Sequence, residues 1–280
     1  IAELHYIAQG HLDHRIPFRL KGNQQHVITS VNALVDSAVR SMDDERKIEK
    51  SKDELITNVS HDLRTPLTSI IGYLGLIEDK QYRSEEDILK YTHTAYEKAK
   101  QMKTLVDDLF EYTKVQQHGA PVNIMKLDLN QLIEQLTASF ELEAQHRGIE
   151  ITSSVIPSPL MIEADPEKLG RVFNNLVSNA FKYGNGASYI RINARQENDM
   201  VVVKVANDGT PIPEKALDHL FERFYRAEAS RSRATGGTGL GLAIVKSIVD
   251  LHHGSVKVTS NEDETAFIVT LPLKQEIKEN

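Results

Sequence analysis

Ser60-His61-Asp62-Leu63-Arg64-Thr65-Pro66-Leu67 sits within the stretch whose composition decides the first half of the fold. From Ser30 to Gln117 the chain runs 88 residues with one proline, Pro66, and two glycines, Gly72 and Gly75, so it reads as long helix. Toward its start, Val31, Leu34, Val35, Ala38, Met42, Ile48, Leu55 and Val59 recur mostly at three, four, six or seven positions. That narrow apolar seam, imperfect around Glu45 and Lys52, suits a parallel coiled coil. The polar cluster Asp79 to Ser84 breaks the run, and Ser84 with Asp87 three residues later has the spacing of a capping box that opens a second helix. The apolar face of that helix is Ile88, Tyr91, Ala95, Ala99, Met102, Leu105, Leu109 and Tyr112. Two helices joined by a short turn form an antiparallel hairpin that cannot cover both stripes alone. Pairing two chains into a four-helix bundle covers them, so a homodimer is expected.

The octapeptide also carries chemistry. His61 and Thr65 are four apart and share a helix face, and Asp62 can reach the imidazole. Pro66 has no N–H, so the Asp62 carbonyl loses its intrahelical partner and a local bend is expected. A surface histidine on a kinked helix is the competing reading.

Beyond His118-Gly119-Ala120-Pro121 the texture changes. Asp128 caps a helical pattern through Leu132, Ile133, Leu136 and Phe140 that ends at Arg147-Gly148. Apolar or alternating runs follow at Ile149 to Val155, Tyr189 to Ala194, Met200 to Ala206, Ser255 to Thr259 and Phe267 to Leu271. Helical segments lie between them near Pro166 to Tyr183 and Leu240 to Leu251. The alternation predicts an α/β sandwich, one mixed sheet with helices on one face.

Four segments of this half are candidate ligand contacts. Asn175, Asn179 and Lys182 fall at i, i+4 and i+7, a polar stripe on an otherwise apolar helix. Amide oxygens suit a hard cation such as Mg2+, and a neighbouring ammonium suits phosphate; a solvated helix face is the alternative. Gly236-Gly237-Thr238-Gly239-Leu240-Gly241 opens an apolar helix, where bare backbone N–H groups bind phosphate, against the reading of a simple flexible loop. It is not a Walker loop, since no Gly-Lys-Ser/Thr follows, and the spacing is wrong for a dinucleotide fingerprint. Asn207-Asp208-Gly209-Thr210-Pro211 ends a strand in a turn. Phe221-Glu222-Arg223-Phe224-Tyr225-Arg226 precedes the polar stretch Ala227 to Thr235, so its aromatics either pin a lid or belong to the core.

Composition narrows the classes. At about 150 residues per domain, a chain of 280 residues holds roughly two domains. It has no cysteine, which excludes a disulfide scaffold, thiol catalysis, thiolate zinc sites and iron–sulfur clusters. A net charge of −7 argues against a dedicated nucleic-acid binder. No apolar run approaches the roughly 18 residues of a membrane span and no signal peptide opens the chain. A soluble, cytoplasmic chain is therefore expected, and Ile1 in place of Met suggests a piece of something longer.

Together and in this order, these motifs resemble the sensor histidine kinases of bacterial two-component systems. Ser60 to Leu67 is similar to the H box, Asn175 to Tyr183 to the N box and Asn207 to Pro213 to the first glycine box. Phe221 to Phe224 is similar to the F box and Gly237 to Leu242 to the second glycine box. The resemblance implies a HAMP-like linker over 1–46, a dimerisation and phosphotransfer hairpin over 47–119, a catalytic ATP-binding domain over 120–274 and a tail over 275–280. It implies ATP and Mg2+ as cofactors, a homodimer, the receiver domain of a response regulator as partner, and no direct nucleic-acid contact. It further implies that the full protein is membrane-anchored upstream of Ile1, with this portion cytoplasmic. His61 would accept the γ-phosphoryl group, Asp62 would orient its ring, and Thr65 would position water for dephosphorylating the regulator. Asn179 would hold Mg2+ with Asn175 alongside, and Lys182 and Tyr183 would contact phosphate and nucleotide. Gly237, Gly239 and Gly241, with Thr238 and Leu240 between them, would cradle the phosphates. Asn207, Gly209, Phe224 and Arg226 complete the implied nucleotide contacts, with Arg231 and Arg233 as further lid candidates.

One departure matters. The family often has aspartate at the position of Asn207, accepting from the adenine amino group; an asparagine oxygen can also accept, but the charge is lost. Pro211 stands where a second glycine is common. Two other readings therefore stand beside the kinase: a degenerate kinase acting as a dimeric binding module, and an ATP-driven machine that never phosphorylates itself. A serine/threonine kinase lacks its catalytic loop and Asp-Phe-Gly turn here.

Overall fold

The computed structural model describes residues 2–17, 23–117, 121–226 and 238–275. They divide into two compact units, Ile1–Thr65 and Pro66–Asn280.

In the first unit, helix α1 (Ala2–Ala8) leads through a connector to α2 (Asn23–Glu78), whose uninterrupted course includes Pro66. Ile7, Ile16 and Val35 form a small core, with Leu12, Ile28, Val31 and Val39 packed around it. Ile16 is held by paired hydrogen bonds: Asn32 Oδ1 accepts from Ile16 N at 3.0 Å and its Nδ2 donates to Ile16 O at 3.2 Å. Arg15 reaches Asp36 at 2.7 Å. Leu34 and Met42 of the predicted seam stay exposed in the single chain.

In the second unit, the last turns of α2 and helix α3 (Glu85–Gln116) form the expected hairpin. Ser84 caps α3 by accepting from Asp87 N, while Asp87 reaches back to Arg83 N at 2.9 Å. Across the hairpin Tyr73 meets Tyr91, centroids 5.8 Å apart. The buried face of α3 is Ala95, Leu105, Asp108, Tyr112 and Val115. It contains a carboxylate that the apolar period passes over.

The remaining elements are β1 (Met125–Asp128), α4 (Leu129–Arg147), β2 (Glu150–Ile156), β3 (Met161–Ala164), α5 (Pro166–Tyr183), β4 (Tyr189–Glu197), β5 (Met200–Asn207), the short α6 (Glu214–Leu217), α7 (Gly241–Leu251), β6 (Ser255–Ser260) and β7 (Thr265–Pro272). The five-stranded sheet has the order β2-β4-β5-β7-β6, with β2 parallel to β4 and the other pairs antiparallel. This is the mixed sheet expected from the alternating runs. The sequence reading did not contain the separate two-stranded sheet of β1 and β3, because four-residue strands carry too little period to be seen. Rows such as Ile192–Val205–Phe267 bury one side of the large sheet. The apolar faces of α4, α5 and α7 supply the other half of the core, with Leu169, Phe173, Leu176, Ile244 and Ile248 fully buried.

The orientation of α5 rests on its first residues. Asp165 caps the helix by accepting from Lys168 N at 3.1 Å, and Pro166 sets the first helical φ. The second carboxylate oxygen of Asp165 accepts from Asn123 N at 2.9 Å, and its own N–H donates to Nε2 of the fully buried His252 at 3.0 Å. His252 Nδ1 donates to the Ile248 carbonyl at 2.8 Å, which fixes a neutral tautomer. Burial holds this imidazole below its ordinary pKa, against the pull of the Ile248 carbonyl and Asp165. A depressed value makes the neutral ring part of the fold. Stability is full above the ordinary histidine pKa of 6.5 and declines as pH falls toward the folded-state value. Thermal unfolding followed from pH 7.5 to 5 should show this loss, and His252→Gln should lower the plateau while flattening the slope.

Candidate nucleotide and phosphoacceptor sites

On α5 the apolar face is buried and the opposite face carries Asn175, Asn179 and Lys182. Asn175 Nδ2 donates to the Gly241 carbonyl at 3.4 Å, so the polar stripe meets the start of α7. Just before that start, the Thr238 hydroxyl accepts from Leu240 N at 3.1 Å and shapes the turn. Gly239 has φ +68°, and a Cβ there would lie 2.7 Å from Phe224 Cα, so the position admits only glycine. Phe224 N donates to the Gly239 carbonyl at 2.9 Å, with Phe224 itself left-handed at φ +59°. The aromatic segment and the glycine loop are thus joined through their backbones at Phe224 and Gly239. Tyr183 ends α5, its hydroxyl pKa pushed up by burial and drawn down by the Arg226 guanidinium. Gly237, Arg231 and Arg233 lie outside the described residues.

A floor lies at the end of β5. Asn207 is 5% exposed, and its side chain has no hydrogen-bond partner among the described residues. A Cβ on Gly184 would come 2.7 Å from Asn207 Nδ2 and 2.5 Å from the Ala180 carbonyl. A Cβ on Gly209 would come 2.5 Å from Gly184 C. The two glycines let two backbone turns touch under a buried amide. Asp208 faces the other way, accepting from Ser188 N at 2.8 Å, Tyr189 N at 2.9 Å and the Ser188 hydroxyl. Desolvation raises its pKa, but the hydrogen bonds from Ser188 and Tyr189 together outweigh it and hold the carboxyl below its usual range. It is a fastener for the start of β4, not a ligand contact.

These groups fit a nucleotide and its metal. A nearly buried amide with an open hydrogen bond suits the edge of a base. Among the described residues no cluster of three His, Asp or Glu could hold a metal by itself. The Asn179 side chain has no partner among them, and Asn175 keeps its Oδ1. Mg2+ binds through few protein oxygens, completing its shell with water and phosphate, and that is the donor set α5 offers.

The first unit carries the other candidate site. His61 is exposed on α2, its Nδ1 3.3 Å from Asp62 Oδ1, and the Thr65 hydroxyl is 3.4 Å from the His61 carbonyl oxygen that it faces as donor. The pairing engages Nδ1 and leaves Nε2 without a protein partner among the described residues. The sequence reading missed three residues that the structure brings in: Gly184 under Asn207, and Asp108 and Arg171, which pair at 2.5 Å. Gly184 was legible only as the residue after a helix, and Asp108 only as one of the acidic residues Asp107, Asp108 and Glu111 between Leu105 and Tyr112.

Comparison with known proteins accords with this geometry. The family described as "Histidine kinase-, DNA gyrase B-, and HSP90-like ATPase" matches residues 164–275. "His Kinase A (phospho-acceptor) domain" matches 51–118, and "Fungal histidine kinase, HAMP domain" matches 1–43. The chain is 36% identical over 242 residues to the sensor protein VanS of Enterococcus faecium, covering 86% of this chain and 62% of VanS. It is 31% identical over 239 residues to the sensor protein kinase WalK of Staphylococcus aureus, covering 84% and 57%. Among solved structures, histidine kinase ThkA in complex with response regulator TrrA aligns with a TM-score of 0.68 at 26% identity, over 85% of this chain and 67% of that one. The Acinetobacter baumannii histidine kinase AdeS shares the fold, with a TM-score of 0.63 at 22% identity over 76% of this chain and 98% of that one. The chain belongs to the two-component sensor histidine kinases, with a phosphoacceptor hairpin and an ATP-binding domain. It spans about three-fifths of the length of the curated relatives it matches.

The floor is testable by stability alone. Gly184→Ala should cost about 2–3 kcal/mol through overpacking against Asn207 and the Ala180 carbonyl. Gly186→Ala, at φ +77° but in open space, should cost only about 1 kcal/mol. Chemical denaturation of the two variants compares them directly.

Proposed function

We propose that this chain is the kinase portion of a sensor histidine kinase that transfers the γ-phosphoryl group of ATP to His61 and from there to an aspartate of a response regulator. The observation that carries the reading is the convergence of the α5 polar stripe, the Gly239–Gly241 turn and the Asn207 floor in one domain, in a chain whose α2 also presents the His61–Asp62 pair.

Each residue's part follows from its chemistry. Nε2 of His61 is the nucleophile, and Asp62 holds Nδ1 and takes its proton as the ring is phosphorylated. Asn179, with Asn175 beside it, would hold Mg2+, which supplies charge neutralisation to the phosphates. Lys182, Tyr183 and Arg226 meet the phosphate side, and the loop from Gly237 to Gly241, Thr238 and Leu240 included, cradles it through the N–H groups the turn leaves open, the Leu240 N–H being taken by the Thr238 hydroxyl. Asn207 accepts from the base over Gly209, and Phe224 fastens the Gly239 turn. Catalysis of this kind is mostly positioning and charge neutralisation. Thr65 positions water for the reverse, phosphatase, activity.

The organisation we infer is a HAMP-like linker over 1–46, the hairpin over 47–119, the catalytic domain over 120–274 and a tail from 275. Homodimerisation through the hairpin and the α2 seam is supported by the exposure of Leu34, Met42, Leu67, Ile71 and Leu74. The response-regulator partner is supported by the complex in which the ThkA neighbour was solved. Among the described residues no helix is long and apolar enough to cross a membrane. Membrane anchoring of the full protein upstream of Ile1 is inferred from the HAMP match alone.

Incubation with γ-labelled ATP and Mg2+ tests the reading. Label should enter the wild type, survive alkali, be lost in acid and be absent from His61→Gln. Thr65→Ala should keep autophosphorylation but lose regulator dephosphorylation by at least about tenfold. A chain that binds no nucleotide would favour the degenerate binding module, a reading that Asn207 and Pro211 support; Asn207→Asp would then be the variant that restores binding. Binding without any labelling would favour the ATP-driven machine.

A further inference from the structure

The buried carboxylate of Asp108 stands outside the machinery described above. It lies on α3, in the hairpin, yet both of its partners belong to the ATP-binding domain. Arg171 Nη2 approaches Oδ1 at 2.5 Å, and the Thr238 hydroxyl donates to Oδ2 at 3.0 Å. Asp108 is 6% exposed and its bond with Thr238 is buried, while Arg171 is one-third exposed, so water reaches the ion pair from the Arg171 side only. The same stripe of α3 continues at four-residue steps. The Arg223 guanidinium lies 5.1 Å over the Tyr112 ring, and Gln116 Nε2 donates to Ser247 Oγ at 2.9 Å. One helix face thus touches α5, the aromatic segment, the glycine loop and α7.

We propose that Asp108 is an internal latch: its carboxylate holds the catalytic domain on α3 by occupying cationic and hydroxyl groups beside the phosphate loop, and it opposes nucleotide binding. This rests on the nucleotide reading of that loop. Thr238 is the residue that shapes the loop, donating to Asp108 while it accepts from Leu240 N. Lys182, assigned to phosphate, is close enough to favour the charged form of Asp108, as are Thr238 and Arg171, although burial outweighs them and raises its pKa. A triphosphate drawn to the same loop would meet a desolvated negative charge. The same cations cannot fully serve two anions. Mutual exclusion of this kind is reciprocal, so nucleotide that loosens the latch must also be bound more tightly once the latch is gone.

A purely structural ion pair predicts the opposite sign, since breaking it would loosen the loop and weaken binding. The test measures binding of a non-hydrolysable ATP analogue with Mg2+ to the wild type and to Asp108→Asn. The chain has no cysteine, so spin labels on Lys90→Cys in α3 and Leu142→Cys in α4 report docking of the catalytic domain on the hairpin. Asp108→Asn should bind the analogue about tenfold more tightly. The label-to-label distance distribution, narrow in the nucleotide-free wild type, should broaden on adding analogue and be broad in Asp108→Asn without it. Tyr112→Leu, which releases the next contact on the stripe without touching the charge, should broaden the distribution too and raise affinity by a smaller factor. Unchanged or weaker binding in a folded Asp108→Asn, with the distribution still narrow, would overturn the latch while leaving the kinase reading intact. Should Asp108→Asn not fold, a Tyr112→Leu variant with unaltered distances and affinity would overturn it equally. Absence of nucleotide binding in every variant would sink the nucleotide reading and the latch with it.

Discussion

The catalytic domain depends on the aim of one helix, and that aim is set by a joint one residue long. Asp165 caps α5 with its carboxylate, takes the Asn123 N–H on the other oxygen and gives its own N–H to a buried imidazole. Two segments far from it in sequence, at Asn123 and His252, are fixed to one helix start. Because side chains at i, i+4 and i+7 share a face, orienting the first turn of α5 orients Asn175, Asn179 and Lys182 together. The buried apolar face then drives the helix onto the sheet. Burial of each large side chain such as Phe173 or Leu176 contributes about 2–3 kcal/mol, so the apolar face dominates in setting where the polar stripe lies.

Opposite demands shape the loop beside it. A phosphate-binding turn must keep backbone N–H groups open, yet an open loop is entropically costly to hold in place. Here the turn is ordered from its edges. Thr238 accepts the Leu240 N–H, Phe224 donates to the Gly239 carbonyl, and Asn175 donates to the Gly241 carbonyl. Two of the three fastenings use carbonyls, at Gly239 and Gly241, and among the described residues only the Leu240 amide is spent within the turn.

Legibility from sequence followed the range of the interaction. The long helices, the Ser84 cap, the Gly148 terminus and the five main strands are local patterns, and each is present in the structure. The small sheet of β1 and β3 was not legible, since pairing Met125 with Ala164 depends on a chain path and not on a periodic run. The candidate nucleotide residues were legible as motifs, but their support was not. Arg171 is 63 residues from Asp108 and Thr238 is 130 away, and neither separation leaves a trace in the linear sequence. Gly184 was invisible for a related reason: its importance lies in what touches it. Asn207 was noticed as a departure, while the absence of a partner for its amide among the described residues could be known only from the fold.

The contact of Gly184 with Gly209 also limits how this surface can evolve under drug pressure. An inhibitor that sat on the Asn207 floor would rest on two residues that cannot gain even a methyl group without displacing backbone. Resistance usually arises by adding or reshaping side chains beneath a ligand, and that route is sterically closed at Gly184 and Gly209. Escape at the floor would be left to Asn207 itself, the residue proposed to meet the base.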